Sequence, residues 1–246
     1  MKHESIAVLS DIHGNRWALE AVLEDVAKRG IGTILNLGDS FYGPLDPAGT
    51  AELLMIVNAV GVRGNEDRIV AEGTEPSPTT AYVREQLSDE QIDYLRSLPF
   101  ARSLGGEMFL FHGTPDDDSE YLIHEVSVDG LRRRGESAVQ KLLEGRPETL
   151  FLCGHDHLPN VIQLADGKLV VDPGSVGLPA YSDDIPFEHF VESGNPTAKY
   201  CVVEKAPSKW VVEQIGIPYD HDAASKVAKH NHRDDWAFWL KTGRAR

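Results

Sequence analysis

Five apolar runs, each ended by a short polar motif, constrain this chain more than any other feature. The runs are residues 6–9, 34–37, 60–62, 108–111 and 150–153. The motifs that follow them are Asp11-Ile12-His13, Gly38-Asp39, Gly64-Asn65, His112-Gly113 and Gly154-His155-Asp156-His157. In an α/β sheet the carboxyl ends of the strands gather on one edge, and ligands bind in the crevice there. The pattern therefore predicts that two Asp, one Asn and four His meet at a single point.

The spacing between the runs supports an α/β fold. Residues 15–29 carry Ala18, Leu19, Val22, Leu23 and Val26 at helical intervals, with Gly30 as the stop. Residues 47–59 read as a second helix with Pro47 in its first turn. This β-α-β-α-β opening implies parallel pairing. Residues 72–80, rich in Pro, Ser and Thr, read as a loop, and Ser88 to Gln91 as a capping box ahead of a helix. Residues 100–103 and 107–111 read as paired strands around Gly105-Gly106, and 131–143 as a helix with a basic start. Strands are expected at 160–164 and 168–171 around the turn Asp166-Gly167, and again at 199–204 and 210–216. Residues 179–197 read as irregular. The chain divides into a domain over 1–219 and a helical tail over 220–246 packed on it, whose Trp236, Phe238 and Trp239 read as core or as a surface for self-association.

Charge narrows the function. The net charge of −15 disfavours an extended nucleic-acid surface, because phosphate backbones need stripes of Lys and Arg. It leaves room for a small phosphorylated substrate at a local cationic site. Two cysteines make no disulfide framework, and no stretch approaches the ~20 apolar residues of a membrane span. With no signal-like apolar block at the start, the expected location is the cytoplasm.

Carboxylate, amide and imidazole groups are the ligands of hard and borderline divalent metals. Asp11 and His13 stand two apart, as do His155 and His157, so each pair can point the same way from an extended strand end. Asp39 suits a bridge between two metals through its two oxygens. Burying such a cluster without cations would cost several kcal/mol. Two cations ~3.5–4 Å apart remove that cost, bridge a water whose pKa falls toward ~7, and clamp phosphate oxygens.

Read in the order D-x-H, G-D, G-N, H-G, G-H-x-H, the motifs resemble the calcineurin-like metallophosphoesterase superfamily over roughly residues 5–220, and within it the small bacterial phosphoesterases. The longer matches are Leu9 to Asn15, Leu37-Gly38-Asp39 with Tyr42-Gly43-Pro44, Val62 to Asn65, Phe111 to Pro115, and Asp172 to Gly177. The resemblance implies a four-layer α/β/β/α sandwich with a short helical C-terminal extension. It implies a dinuclear phosphoesterase in which a metal-bridging hydroxide attacks a small phosphomonoester or phosphodiester. One metal would take Asp11, His13, Asp39 and His157, and the other Asp39, Asn65, His112 and His155. Mn²⁺ or Fe is typical, with Zn²⁺, Ni²⁺ and Mg²⁺ compatible.

The chain departs from the family pattern after the third run. Where the family carries G-N-H, with the His as acid toward the leaving oxygen, this chain has Glu66 beside Asn65. A carboxylate next to two dications is expected to have a lowered pKa and to be a poor acid. A non-catalytic binding or scaffold protein on the same fold is the alternative. Asn15, Tyr42 and Ser175 are candidate substrate contacts; the plainer reading of Asn15 is a helix start, and Tyr42 reads equally as packing. After Gly177 the run Leu178-Pro179-Ala180 lacks the Arg found in relatives. The D-R-G and G-N-H-E sequences of Ser/Thr protein phosphatases are absent. His3, His124, His189 and His221 read as surface or loop residues, with His124 or His189 a replacement acid as the sharper alternative. Arg132-Arg133-Arg134 reads as an exposed helix face.

Overall fold

The structure, a computed structural model, describes residues 5–207 and 209–246; His3 lies outside them. The chain opens with β1 (Ser5–Leu9), α1 (Arg16–Lys28), β2 (Thr33–Asn36), α2 (Pro47–Ile56) and β3 (Val60–Gly61). β1 pairs parallel with β2, and β2 with β3, as the spacing predicts. Then come α3 (Asn65–Glu72), α4 (Pro78–Gln86), α5 (Asp89–Ser97), β4 (Ala101–Leu104), β5 (Met108–Phe111), β6 (His124–Ser127), β7 (Gly130–Arg133), α6 (Glu136–Leu142) and β8 (Leu150–Leu152). The remainder is β9 (Asn160–Gln163), β10 (Leu169–Asp172), β11 (Ala180–Asp183), β12 (His189–Glu192), β13 (Ala198–Ala206), β14 (Lys209–Ile217), α7 (His221–His230) and α8 (Asp234–Thr242).

Two five-stranded sheets form the middle layers, ordered β14-β13-β1-β2-β3 and β4-β5-β8-β10-β9. Alternation along β1 divides its side chains between two cores. Ile6 and Val8 join Leu35, Leu37 and Val203 against Leu110, Leu152 and Val171 of the second sheet. Ala7 and Leu9 face the other way, onto Leu19 and Val22 of α1, Leu54 of α2 and Val70 of α3. On the far side Phe111, Phe151 and Val170 meet Val139 of α6. The result is the expected four-layer α/β/β/α arrangement. A one-residue slip of β1 would exchange its two faces, so the buried pattern fixes the register that aims the loop after Leu9.

The tail packs on this body. Trp236, Trp239 and Leu240 of α8 and Ala224 and Ala228 of α7 share a core with Leu45, Leu178 and Trp17. It is two helices rather than one, because His232 takes a left-handed φ of 59° between them.

Four other expectations give way. The helix expected over 131–143 begins only at Glu136. Gly130, at φ 96°, turns a hairpin instead, and Arg132 of β7 pairs with Glu125 across it at 3.1 Å. The triple arginine is therefore no helix face. The helix over 47–59 ends at Ile56, where Asn58 turns left-handed at φ 49°. The loop over 72–80 shrinks, because Ser77 caps α4 through Thr80 and Pro78 opens it. Residues 179–197 are not irregular: β11 and β12 pair with Tyr181 opposite Val191 and Asp183 opposite His189.

Candidate metal centre

Every ligand expected from the sequence arrives from a strand end or the helix start beyond one. Asp11 and His13 follow β1, Asp39 follows β2, Asn65 opens α3, His112 follows β5, and His155 and His157 follow β8. Six of them form two groups of donor atoms within 4.8 Å of one another, Asp11, His13 and His157, and Asp39, His112 and His155; His13 and Asp39 form a further group with Glu66. Asp11 Oδ1 lies 3.3 Å from His157 Nε2 and 3.9 Å from His112 Nε2, and so links the groups. Asp39 Oδ2 is 3.3 Å from His112 Nε2.

Backbone conformation concentrates at this point. Seven described non-glycine residues have left-handed φ, and Asp11, His13, Asp39, His155 and His157 are five of them. Such conformations cost energy and persist where the surroundings over-determine them. Gly64 shows how tight the arrangement is: a side-chain carbon there would lie 2.6 Å from Asp39 N and 2.9 Å from Asp39 Cγ.

The ring nitrogens facing away from the centre are held by carbonyls. His112 Nδ1 donates to Leu37 O at 2.8 Å and His157 Nδ1 to Leu178 O at 2.8 Å. His13 Nδ1 donates to Tyr42 O at 3.1 Å, and His155 Nε2 to Ser119 O at 3.1 Å. Such outer bonds fix the tautomer and present the other nitrogen's lone pair to a metal. The atoms facing inward lack partners: Asp11 Oδ1, Asn65 Oδ1 and His112 Nε2 are buried without a hydrogen bond. Buried polar atoms of this kind demand an explanation. Oxygen and imidazole donors that converge and stay unpaired fit divalent cations.

The electrostatics have the same sense. Burial alone would raise the Asp11 carboxyl, yet His157, His112 and His13 outweigh it and hold it well below its ordinary value. Asp39 is lowered too, with His112 and His13 overcoming burial. His112 is pushed up to about 10, because Asp39 and Asp11 overcome the opposing effect of burial. The carboxylates retain positive charge here from whatever source is at hand.

A family model for the calcineurin-like phosphoesterase superfamily domain matches residues 5–191. The chain belongs to that superfamily. It is similar to the uncharacterized protein MJ0912 of Methanocaldococcus jannaschii, 28% identical over 263 aligned positions that cover 96% of each chain. Among solved structures it resembles a metallophosphoesterase from Sphaerobacter thermophilus, with a TM-score of 0.75 at 22% identity over 97% of this chain and 99% of that one. A putative diadenosine tetraphosphatase aligns with a TM-score of 0.52 at 19% identity, over 86% of this chain and 93% of its own. The superfamily is one of metal-dependent phosphoester hydrolysis, and the match covers every expected ligand.

The residues expected to touch substrate separate. Tyr42 lines the cavity over the metal centre. Asn15 does not: it is fully buried, caps α1 by accepting from Ala18 N at 3.1 Å, and donates to Gly177 O at 2.8 Å. Ser175 is likewise buried, donating to Asp11 O at 2.7 Å and accepting from Leu178 N at 2.8 Å. Both hold the ligand loops in position. Glu66 lines the cavity with 24% of its side chain exposed, and Oε2 stands 3.1 Å from His13 Nδ1. Among the protein's own charges, burial and the Asp39 charge push its carboxyl well above the ordinary range; the lowered pKa expected from the sequence belongs to the site with its two dications.

His124 and His189 are neither surface nor loop residues. His124 Nδ1 is 2.9 Å from Asp156 Oδ2, so the variable position of G-H-x-H holds a partner. His189 is buried and accepts from the Tyr121 hydroxyl at 3.0 Å. Tyr121 and Tyr181 escaped the sequence reading. Their rings lie 4.7 Å from His155 and His157 respectively, and their hydroxyls bond to each other. No motif flags a tyrosine; only the β11–β12 pairing, hidden in a stretch read as irregular, brings Tyr181 here.

Proposed function

We propose that the chain hydrolyses a small phosphomonoester or phosphodiester with two divalent cations, Mn²⁺ or Fe foremost. Asp11, His13, Asp39 and His157 hold one cation; Asp39, Asn65, His112 and His155 hold the other. The observation that carries this reading is the set of inward atoms left unpaired while each histidine's other nitrogen is fixed on a carbonyl. When bound, the cations supply Lewis acidity toward the phosphate oxygens and a water made acidic enough to act near neutral pH.

The chain's own groups do the rest. Asp39, grouped with His112 and His155 on one side and with His13 on the other, would serve both cations, and its Oδ1 accepts from Glu66 N at 2.9 Å, which ties α3 to the centre. Asn65 contributes a neutral oxygen from the first position of α3. Glu66, where relatives carry the acid histidine, places Oε2 3.1 Å from His13 Nδ1 without a hydrogen bond to it, and it stands with His13 and Asp39 in a further group of donor atoms within 4.8 Å of one another. With no histidine at that position, substrates with good leaving groups, such as aryl phosphates, turn over fastest. The substrate is small, the chain offers no extended nucleic-acid surface, and the reaction belongs in the cytoplasm. No described helix is long and apolar enough to cross a membrane.

Glu66 also favours a second reading, a binding or scaffold protein that keeps the fold without turnover. Metal content separates the two, since scaffolds tend to lose ligands and this chain keeps all seven. The test is hydrolysis of aryl and bis-aryl phosphates with Mn²⁺, compared with Asp39→Asn. Metal-loaded protein no faster than that variant sinks the hydrolase.

A further inference from the structure

The cavity above the metal centre has a floor supplied by the catalytic domain and one wall supplied by the tail. The cavity is about 200 Å³, and its lining includes five aromatic side chains: Tyr42, Tyr121, Tyr181, Trp236 and Trp239. Among the described residues that line it, Arg233 is the one Lys or Arg. Arg233, Trp236 and Trp239 lie beyond the segment that matches the superfamily, which ends at residue 191.

These tail residues are fixed, not draped. Trp236 is 3% exposed and meets the His13 ring edge-on at 5.9 Å. Gly43 permits the approach, because a side-chain carbon there would lie 2.9 Å from the Trp236 ring. The Arg233 guanidinium lies over Trp236, 5.4 Å from the ring centre. Two of its nitrogens donate to Asp235 at 2.7 and 2.9 Å, and a third donates to Thr79 Oγ1 at 2.7 Å. On the opposite side, Tyr121 and Tyr181 are linked through their hydroxyls and anchored on His189.

This arrangement suits a flat ring better than a second anion. Asp235 already takes the Arg233 fork and compensates its charge, and Asp183 adds another carboxylate to the lining. What Arg233 still offers is a planar face, and guanidinium planes stack on aromatic rings. We infer that Arg233 and Trp236 form the platform on which the ring of an aryl or nucleoside phosphate ester stacks while its phosphate lies at the metal centre. The inference rests on the hydrolase reading above and makes the tail the element that selects substrate.

The test compares ligands that differ only in the ring. Non-hydrolysable phosphonate analogues of adenosine 5′-monophosphate and of ribose 5-phosphate are titrated calorimetrically into Mn²⁺-loaded protein. The ring-bearing analogue should bind about ten-fold tighter or more, as stacked bases do. Arg233→Ala should bring its affinity down toward that of the ring-free analogue and leave the latter unchanged. Arg233→Lys, which keeps the charge without the plane, should behave like Arg233→Ala, and circular dichroism checks that both variants fold. Equal binding of the two analogues by the wild type, no binding of either, or full affinity in Arg233→Lys overturns the assignment. Turnover of nucleoside and sugar phosphates is measured in parallel. Turnover without ring preference in binding removes only this inference; ring-dependent binding without turnover removes only the hydrolase.

Discussion

His13 and His157 point their Nε2 atoms at each other across 3.1 Å, while their Nδ1 atoms donate to the carbonyls of Tyr42 and Leu178. With both Nδ1 hydrogens on carbonyls, two imidazoles so oriented repel unless a proton or a metal ion lies between them. A shared cation turns that repulsion into binding, and Asp11 Oδ1, 3.3 Å from His157 Nε2, completes the group. The geometry therefore ties stability to metal occupancy.

Stripping the protein with a chelator should lower its melting temperature by about 10 °C. A ligand present at a thousand times its Kd stabilises by about 4 kcal/mol, and a chain of this size shifts about 2–4 °C per kcal/mol. Adding back Mn²⁺ should restore the transition, and elemental analysis should find two metal ions per chain. A melting curve indifferent to the chelator would refute the ligand assignment.

Gly64→Ala should abolish tight metal binding and spare the fold. The added methyl would collide with Asp39 N and Cγ, at 2.6 and 2.9 Å, and push Asp39 off both groups. Loss of a supporting contact alone costs 10–100-fold in metal affinity, so displacing a ligand should cost at least about 100-fold. The checks are calorimetric metal titration and far-ultraviolet circular dichroism; unchanged affinity would mean that Asp39 is not a ligand.

Glu66→His should accelerate hydrolysis of alkyl esters far more than of aryl esters. General acids contribute about 10²–10⁴-fold, and poor leaving groups gain most. Tyr42 O still holds His13 Nδ1 at 3.1 Å in that variant, so the metal group keeps one anchor. The measurement is the ratio of kcat for a glycerol phosphate to kcat for an aryl phosphate. A ratio equal to that of the wild type would show that position 66 lies out of reach of the leaving oxygen.

Arg68 and Asp118 should govern the acid limb of stability. Burial alone would raise the Asp118 carboxyl, but the Arg68 guanidinium, bonded to it at 2.8 and 2.9 Å, brings it below its ordinary value. A carboxyl lowered in the folded state adds stability above its unfolded pKa of about 3.9 and loses it as the pH falls through the folded value. Arg68→Met should cost about 1.5–3 kcal/mol at pH 7 and flatten the loss below pH 4. Denaturant melts at pH 7 and pH 3 give the comparison. The pair also steadies Ser119, whose carbonyl accepts from His155, so metal affinity should fall alongside.

The sequence exposed the cluster of candidate ligands almost whole because its parts are local. Each ligand sits within a few residues of a strand end, and strand ends are marked by a run of apolar residues meeting Gly, Asp or His. What it hid depends on distant pairing. Leu131-Arg132-Arg133 favours a helix by composition, but register with Glu125 and a turn at Gly130 make it a strand. Tyr181 carries no motif and gains meaning only from β12 across the hairpin. Asn15 and Ser175 lay in the right motifs and belong to the scaffold, since Asn15 caps α1 and donates to Gly177 O while Ser175 donates to Asp11 O and accepts from Leu178 N. Identity at a motif position does not tell which way a side chain faces.

The proposed ligands lie between Asp11 and His157, while the wall over them is built by Arg233, Trp236 and Trp239 on a two-helix tail with its own apolar seam against Leu45 and Leu178. The selectivity proposed for the tail thus lies in a stretch outside the one that supplies the ligands, yet it is coupled to them, because Trp236 meets the His13 ring at 5.9 Å.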